Sequence, residues 1–326
     1  MKNLSIIAII LMFSILTSCE TEIPFNGTIT EPMLSVISLP FTDSVIQANV
    51  TASRFFLSNE NDFKVVDNAT VDLYINGTFK ENLIAQGQGN YRSQYIPVEG
   101  DIVKLNVSAI GYESVWADAT VPLKVAGFQI DSTITRSNTS LIIEGSNYGG
   151  SVVRLDTVGT TYSNIHNFNI KFSDLAGESN YYRLVVKLTT TANSYSTVSY
   201  QNNFDDIVFG TKKENIDGIF AESPYDRYTI FSDELIDGKP HTITVSIPVS
   251  YDKYYDRVET TDYERSVSIN LQSISQSYYL YLKSLKALEI ADPFMSEPVQ
   301  IYTNVNGGLG IMGAGANQQR SFDLPK

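Results

Sequence analysis

The segment HTITVSIPV, residues 241–249, alternates aliphatic residues with polar residues or proline. Successive side chains of a strand point to opposite faces, so this period predicts an antiparallel strand with one buried face and one exposed face. Further strand patterns surround it, at residues 165–172, 182–191, 228–231 and 267–273. The second part of the chain, residues 123–326, is therefore predicted to be a β-rich domain with antiparallel strands.

The N-terminal part of the chain has turn residues at intervals of about ten positions between Pro32 and Pro122. Strand patterns lie at residues 71–75, 103–109 and 115–121. Asn76-Gly77, directly after the first pattern, is a strong hairpin signal. This spacing predicts an antiparallel β-sandwich of about seven strands, Ig-like or transthyretin-like, over residues 32–122. Trp116 alternates away from the aliphatic face of its strand; it is either packed under a loop or partly exposed, and we favour packing under a loop.

One helix is predicted, over residues 275–290. Ser275 is placed to cap its N-terminus, and Ile274 and Tyr279 are spaced as a hydrophobic staple. A stripe at helical spacing comprises Tyr278, Leu282, Leu285 and Leu288. We expect this stripe to pack in the core rather than to hold a ligand. With no other convincing helix pattern, the fold class is predicted to be mainly β.

Residues 1–18 have the features of an export signal. Lys2 supplies a positive charge, and the apolar run at residues 5–16 is shorter than the roughly 20 residues that span a bilayer. Leu16-Thr17-Ser18-Cys19 resembles the lipobox of bacterial lipoproteins, in which small residues fit the signal peptidase and the thiol accepts an acyl chain. The alternative is an ordinary signal peptide with a chance cysteine. We expect Cys19 to carry fatty chains such as palmitate and to be the membrane anchor.

Cys19 is the only cysteine of the chain. Disulfides, thiolate metal sites and cysteine nucleophiles are therefore not expected. Removal of 18 residues from 326 leaves 308, a length that suits two domains. The predicted organisation is a tether at 19–31, a sandwich at 32–122 and a second β-rich domain at 123–326. Residues 201–227 within the second domain are polar and without periodicity, and they are predicted to be a long loop or insertion, where binding groups are often placed.

The charge balance is acidic. Lys and Arg number 23 against 36 Asp and Glu, for a net charge of −13, and loss of Lys2 with the signal would make it −14. An acidic body repels phosphate backbones, so nucleic acid is not an expected partner.

Catalytic motifs are weak. His166 and His241 are the only histidines, in different predicted strands and without metal-type spacing, so they are interpreted as histidines at a sheet surface. Ser250-Tyr251-Asp252-Lys253 matches Ser-x-x-Lys, but the accompanying motifs are absent. We predict no enzymatic activity, no cofactor and no metal site. Paired carboxylates such as Asp205-Asp206 stay open, because glycosidase acids are defined by distance in the fold.

Two other patterns have simple interpretations. The oxygen-rich segments at residues 59–62 and at Asp205-Asp206 could bind calcium, but solvated turns are favoured. The glycine-rich segment NVNGGLGIMGAG, residues 304–315, lacks the lysine of a phosphate-binding loop. It is predicted to be a close-packed final strand with tight turns.

A series of short strings in fixed order resembles a known family. The strings are CETEI (19–23), FKVVDNATV (63–71), GY (111–112), NYYRL (180–184), FSDE (231–234), DGK (237–239), SQSYYLYL (275–282), DPF (292–294) and NVNGGLGIMGA (304–314). They are similar to a Bacteroidota lipoprotein family called domain of unknown function 4249. The N-terminal half also resembles the regulatory β-sandwich found beside carboxypeptidases and on outer-membrane receptors. The resemblance implies an outer-membrane lipoprotein, often encoded near TonB-dependent transporters, with no assigned activity or functional residues.

Together these patterns suggest a lipid-anchored, surface-exposed outer-membrane protein. Glu20 and Glu22, soon after the cysteine, resemble a surface-export signal. The leading hypothesis is a non-enzymatic accessory binding module that cooperates with a TonB-dependent transporter in nutrient uptake. A second hypothesis is a structural or adhesive protein whose exposed tyrosines bind glycans or host protein. A third, a glycan hydrolase, would need a cleft holding two carboxylates about 5 to 9 Å apart.

Overall fold

A computed structural model describes residues 31–55, 63–148, 151–192, 195–201, 204–210, 228–255, 263–291 and 297–325. Two compact units are present: one holds Met1–Glu31 with Phe55–Leu57, and the other holds the rest of the chain. All the strands and the helix given below belong to the second unit. The predicted mainly β class, with antiparallel sheets and one helix near the C-terminus, is confirmed.

Eighteen strands and one α-helix make up the described chain. The strands are β1 Leu34–Ser38, β2 Gln47–Ala52, β3 Lys64–Val65, β4 Thr70–Ile75, β5 Thr78–Asn82, β6 Ile84–Gly87, β7 Asn90–Arg92, β8 Ile102–Ser108, β9 Val115–Thr120, β10 Ala126–Tyr148, β11 Ser151–Ser173, β12 Tyr181–Ala192, β13 Tyr195–Gln201, β14 Ile230–Ser232, β15 Pro240–Tyr254, β16 Tyr263–Ile274, β17 Leu309–Met312 and β18 Gly315–Asp323. The helix, α1, spans Gln276–Ile290, and a short 3-10 turn spans Ile207–Phe209. No described helix has both the length and the apolar character needed to cross a membrane.

The N-terminal strands form a sandwich of two sheets. One sheet has the order β17-β1-β2-β7-β6, with β3 beside β2, and the other has the order β5-β4-β8-β9. Alternate residues of β4, β8 and β9 are buried between the sheets, including Leu73, Leu105 and Ala117. The β4–β5 hairpin turns at Asn76 and Gly77, which have φ of 51° and 81°, as the sequence signal required. Trp116 was expected under a loop, but 42% of it is exposed on the outer face of β9, so that expectation is wrong.

The glycine-rich segment brings the C-terminal part of the chain back to the first sandwich. β17 pairs in parallel with β1, an arrangement that the antiparallel prediction did not include. A Cβ on Gly310, which has φ of +106°, would lie 2.0 Å from the carbonyl oxygen of Val36. Glycine is thus required for the two backbones to approach, and the predicted close-packed strand is present. The division into domains at residue 122 stays a prediction, since β17 belongs by sequence to the second part and by pairing to the first.

A second sandwich follows, with sheets of order β10-β11-β15 and β13-β12-β16-β18, the latter joined by β14 at β12. Ile243, Val245, Ile247 and Val249 of β15 are buried and the residues between them are exposed. The aliphatic residues of the alternating segment are therefore the buried ones, as the sequence predicted. Phe172 and Phe168 of β11 pack against Tyr182 and Phe322 of the opposing sheet.

Helix α1 lies against one end of the second sandwich. The Ser275 hydroxyl caps it by accepting from the amide of Tyr278 at 3.3 Å. Tyr278 and Leu282 are buried in a cluster with Ile274, which confirms their core role, whereas Leu288 is exposed and does not continue the stripe. The ring of Phe41 meets that of Tyr278 edge-on. The helix is thus packed against residues of both sandwiches.

Candidate functional site

The hairpin of β10 and β11 is longer than the sheet to which it belongs. β15 pairs with β11 only from Gly159 to Ser173, so the remainder of the hairpin is a ribbon of two strands. Extra residues at the register shifts after Arg136 and Ile142 give this ribbon β-bulges, which bend and twist a ribbon. Two strands alone are marginally stable in water, so an exposed ribbon of this length is a candidate for contact with another molecule.

Four aliphatic side chains of the β10–β11 hairpin are exposed on one face, two of them in the ribbon (Ile143 and Leu155) and two in the three-stranded part of the sheet (Ile134 and Leu141). Ile134, Leu141, Ile143 and Leu155 have exposed fractions of 55%, 61%, 57% and 67%. Ile134 pairs with His166, Leu141 with Thr160, and Gly145 with Leu155. Paired residues share a face, and the extra residue after Arg136 shifts the alternation of β10 by one position. Ile134 and the odd-numbered Leu141 and Ile143 therefore lie, with Leu155, on the face that packs as core further down the sheet. We call this set the aliphatic stripe.

An aromatic row crosses the same face between Ile134 and Leu141. Tyr162 and Tyr251 stack with ring centroids 5.2 Å apart and planes 15° apart. The guanidinium carbon of Arg136 lies 5.5 Å from the Tyr162 ring, within cation–π range. The hydroxyls of Thr160 and Tyr255 are hydrogen bonded at 2.7 Å. The row can therefore offer both flat rings and polar groups to a ligand.

An acidic cluster lies at the opposite end of the second sandwich. Asp174 follows β11, and Asp233 and Asp237 lie in the turn between β14 and β15. Each residue has one carboxylate oxygen that lies within 4.8 Å of an oxygen of each of the other two. Asp174 and Asp233 are buried, and Asp237 is exposed.

Hydrogen bonds occupy much of this cluster. Asp174 accepts from the hydroxyl of Tyr182 and from the amide of Gly238 at 2.8 Å, and Asp233 accepts from the amide of Asn180 at 2.6 Å. Burial, then the hydrogen bond to Asp174 and its negative charge, raise the pKa of Tyr182 far above its usual range. The hydroxyl therefore stays protonated and donates. The two buried carboxylates thus join the loop before β12 to the loop before β15.

Chemically, the cluster could supply three oxygens to a hard cation. Calcium takes six to eight oxygen ligands, so the carboxylates would need water or carbonyl oxygens beside them. The distances also approach those of glycosidase carboxylate pairs. Asp174 and Asp233 are, however, only 6% exposed each, and both are already hydrogen bonded. Their geometry favours a role in joining the two loops.

The two histidines, which the sequence places at a sheet surface, have different environments in the structure. His166 is only 3% exposed, with no hydrogen-bond partner for Nε2 within the described part of the chain. Burial lowers its pKa. His241 Nε2 lies 2.9 Å from Asp206 Oδ1, and the same oxygen accepts from the amide of Val208 at 3.1 Å. Asp206 therefore holds His241 and caps the 3-10 turn, while Asp205 is exposed.

The remaining sequence candidates are dispersed or undescribed. Ser250 is in β15, and its hydroxyl is hydrogen bonded to that of Ser163 at 2.9 Å, so the Ser-x-x-Lys string lies in a strand rather than at a helix start. Cys19 and residues 59–62 lie outside the described residues, as does most of the predicted insertion at 201–227, apart from 201 and 204–210. The structure adds the aliphatic stripe and the acidic cluster. SLII at 140–143 was a local signal for the stripe, whereas the cluster unites residues 59 positions apart without one.

Comparison with known proteins gives one family. The profile of the family described as domain of unknown function (DUF4249) matches residues 20–321. No curated protein matches the chain, and no solved structure does so either.

Proposed function

We propose that this chain, which belongs to the DUF4249 family of domains of unknown function, is a lipid-anchored, non-enzymatic binding module of the outer membrane. In this proposal it is held to lipid through Cys19 and faces the cell surface. It cooperates with a TonB-dependent transporter during nutrient uptake. The aliphatic stripe on the β10–β11 hairpin is the surface that meets this partner.

The sequence supports the anchor. A short apolar run ends in Leu16-Thr17-Ser18-Cys19, and Cys19 is the sole cysteine of the chain. Each acyl CH₂ that enters the bilayer contributes about 0.8 kcal/mol, and two or more chains give stable attachment. The transporter as partner follows from the lipoproteins that these strings resemble, which is an argument by association.

The stripe is the observation that carries the binding role. Its four aliphatic side chains are all more than half exposed and lie along one face. Single exposed aliphatic residues are ordinary, but several along one face of a hairpin are a candidate contact surface. Covering each of them would contribute roughly 1 kcal/mol from apolar burial. The complete set would therefore contribute roughly 4 kcal/mol, a factor of about a thousand in affinity.

Co-purification tests the proposal. Tagged, full-length protein is extracted from envelopes in mild detergent, and the proteins that it retains are identified by mass spectrometry. We expect a β-barrel receptor with wild type and a large loss with the combined variant Leu141→Ser, Ile143→Ser and Leu155→Ser. A matched control, the double variant Ile84→Ser and Leu235→Ser, changes comparably exposed residues outside the stripe. This control should retain the receptor. Absence of any barrel protein from the wild-type sample would refute the proposal.

The anchor has its own test. Mass spectrometry of the mature N-terminus should find acyl chains on Cys19, and Cys19→Ala should leave the protein out of the membrane pellet. A variant that still sediments with envelopes would contradict lipid attachment through this residue. This result is independent of whether the ribbon has a partner.

A further inference from the structure

The outer face of the β5-β4-β8-β9 sheet carries exposed aromatic residues. Trp116 is 42% exposed and Phe79 is 51% exposed, at the two edges of the sheet, with half-buried Tyr74 between them. Ile102 is also exposed on this face. The inner face of the same strands is core, so the outer face has a separate role from packing.

These aromatic residues lie in a row across the strands. The Tyr74 and Phe79 rings meet edge-on with centroids 5.6 Å apart. Tyr74 pairs with Lys104 on the next strand, and the Lys104 ammonium lies 4.4 Å from the Trp116 ring centroid. That distance is within cation–π range. At strand spacings of about 4.8 Å, the row extends roughly 14 Å from β5 to β9.

Polar groups alternate with the rings. Asn82 donates to the Asp72 carboxylate across β4 and β5, and Asn106 pairs with both Asp72 and Trp116 in the sheet register. The charges of Asp72 and Asp118 are partly balanced by Lys104, so the face is close to neutral in a chain of net charge −13. A phosphate or sulfate polymer would find little attraction here. A neutral ligand with hydroxyl groups fits the charge.

We propose that this face binds a neutral glycan chain. The aromatic rings stack on the apolar faces of successive sugar units, and the amide and carboxylate groups exchange hydrogen bonds with their hydroxyls. Phe79, Tyr74 and Trp116 would contact different units of one chain. The inference goes beyond the proposed transporter contact, because the face belongs to the first sandwich and the aliphatic stripe to the second.

Tryptophan fluorescence gives a direct readout. Trp116 is the only tryptophan in the chain, so its emission reports on this face without background. The full-length mature protein in detergent is titrated with neutral oligosaccharides of glucose, xylose, mannose and N-acetylglucosamine. We expect a saturable emission change with at least one of them. A flat emission signal with all four, together with no heat in calorimetry, would overturn the proposal.

Variants then locate the site by calorimetry. Trp116→Ala and Tyr74→Ala should each weaken binding about tenfold or more, because each removes a stacked ring. Tyr200→Ala, which removes a similarly exposed tyrosine from β13, should leave affinity unchanged. Equal losses in all three variants would refute the assignment to this face. Far-UV circular dichroism checks that each variant is folded, and Trp116→Ala should still co-purify the receptor, which separates this result from the transporter proposal.

Discussion

Replacing Asp237 by asparagine should stabilise the folded protein. One oxygen of Asp237 lies within 4.8 Å of oxygens of both Asp174 and Asp233. Two unit charges at that distance repel by about 0.9 kcal/mol in water and by roughly 3.5 kcal/mol at an effective dielectric constant of ~20. The lower figure applies because Asp237 is exposed and salt screens it further. With two such neighbours, Asp237→Asn should raise the free energy of unfolding by roughly 1 to 2 kcal/mol.

Little is lost to offset this gain. Among the described residues, the Asp237 side chain accepts a single long hydrogen bond of 3.4 Å, from the amide of Gly177, and an asparagine oxygen can still accept it. The assay is urea denaturation at pH 7 and low salt, with a chelator present so that no cation neutralises the cluster. Asp205→Asn, another exposed acid of the second sandwich, is the control and should change stability little. A less stable Asp237→Asn would show that repulsion between these carboxylates does not govern the cluster.

Three further outcomes are expected. Tyr182→Phe should destabilise by roughly 1.5 to 3 kcal/mol in denaturant titrations, because it removes a buried hydrogen bond to the Asp174 carboxylate; an unchanged midpoint would contradict this. Gly310→Ala should lower the melting temperature far more than Gly77→Ala, where a Cβ meets nothing within 4 Å; similar losses would show that the approach of two backbones is not the constraint. Burial holds the pKa of His166 below its unfolded value of about 6.5, so wild-type stability should fall from about pH 7 to about pH 5, and His166→Leu should lose part of that slope. Parallel pH profiles of the wild type and this variant would argue against the assignment.

Local sequence patterns correctly predicted those elements in which neighbouring residues determine which face is buried. The alternation at 241–249 matches the buried positions of β15, and Ser275 marks the first turn of α1. Each depends on residues adjacent in sequence, where the period of side-chain direction fixes which face is buried. Asn76-Gly77 likewise predicted the hairpin turn, because both residues readily adopt the positive φ that such a turn requires.

Features set by distant contacts could not be read in the same way. His166 shares the buried face of β11 with Phe168, Ile170 and Phe172, so the alternation could place it in the core, but only the packing of the opposing sheet shows how fully it is covered. The acidic cluster joins loops that follow β11 and β14, and its distances exist only in the folded chain. Among the side chains that the structure describes at residues 134–145 and 155–157 of the hairpin, none is buried, so the usual alternation of core strands is missing there.

The parallel pairing of β1 with β17 has a consequence for biogenesis. β9 ends at Thr120, but the strand that completes the edge at β1 begins only at Leu309. Because the chain is made from the N-terminus, the residues of the first sandwich up to β9 exist before the strand that covers this edge of β1. Until β17 is in place, the edge of β1 has unpaired backbone groups that can join a wrong strand. Truncation shortly before Leu309 should therefore leave the first sandwich prone to association through β1.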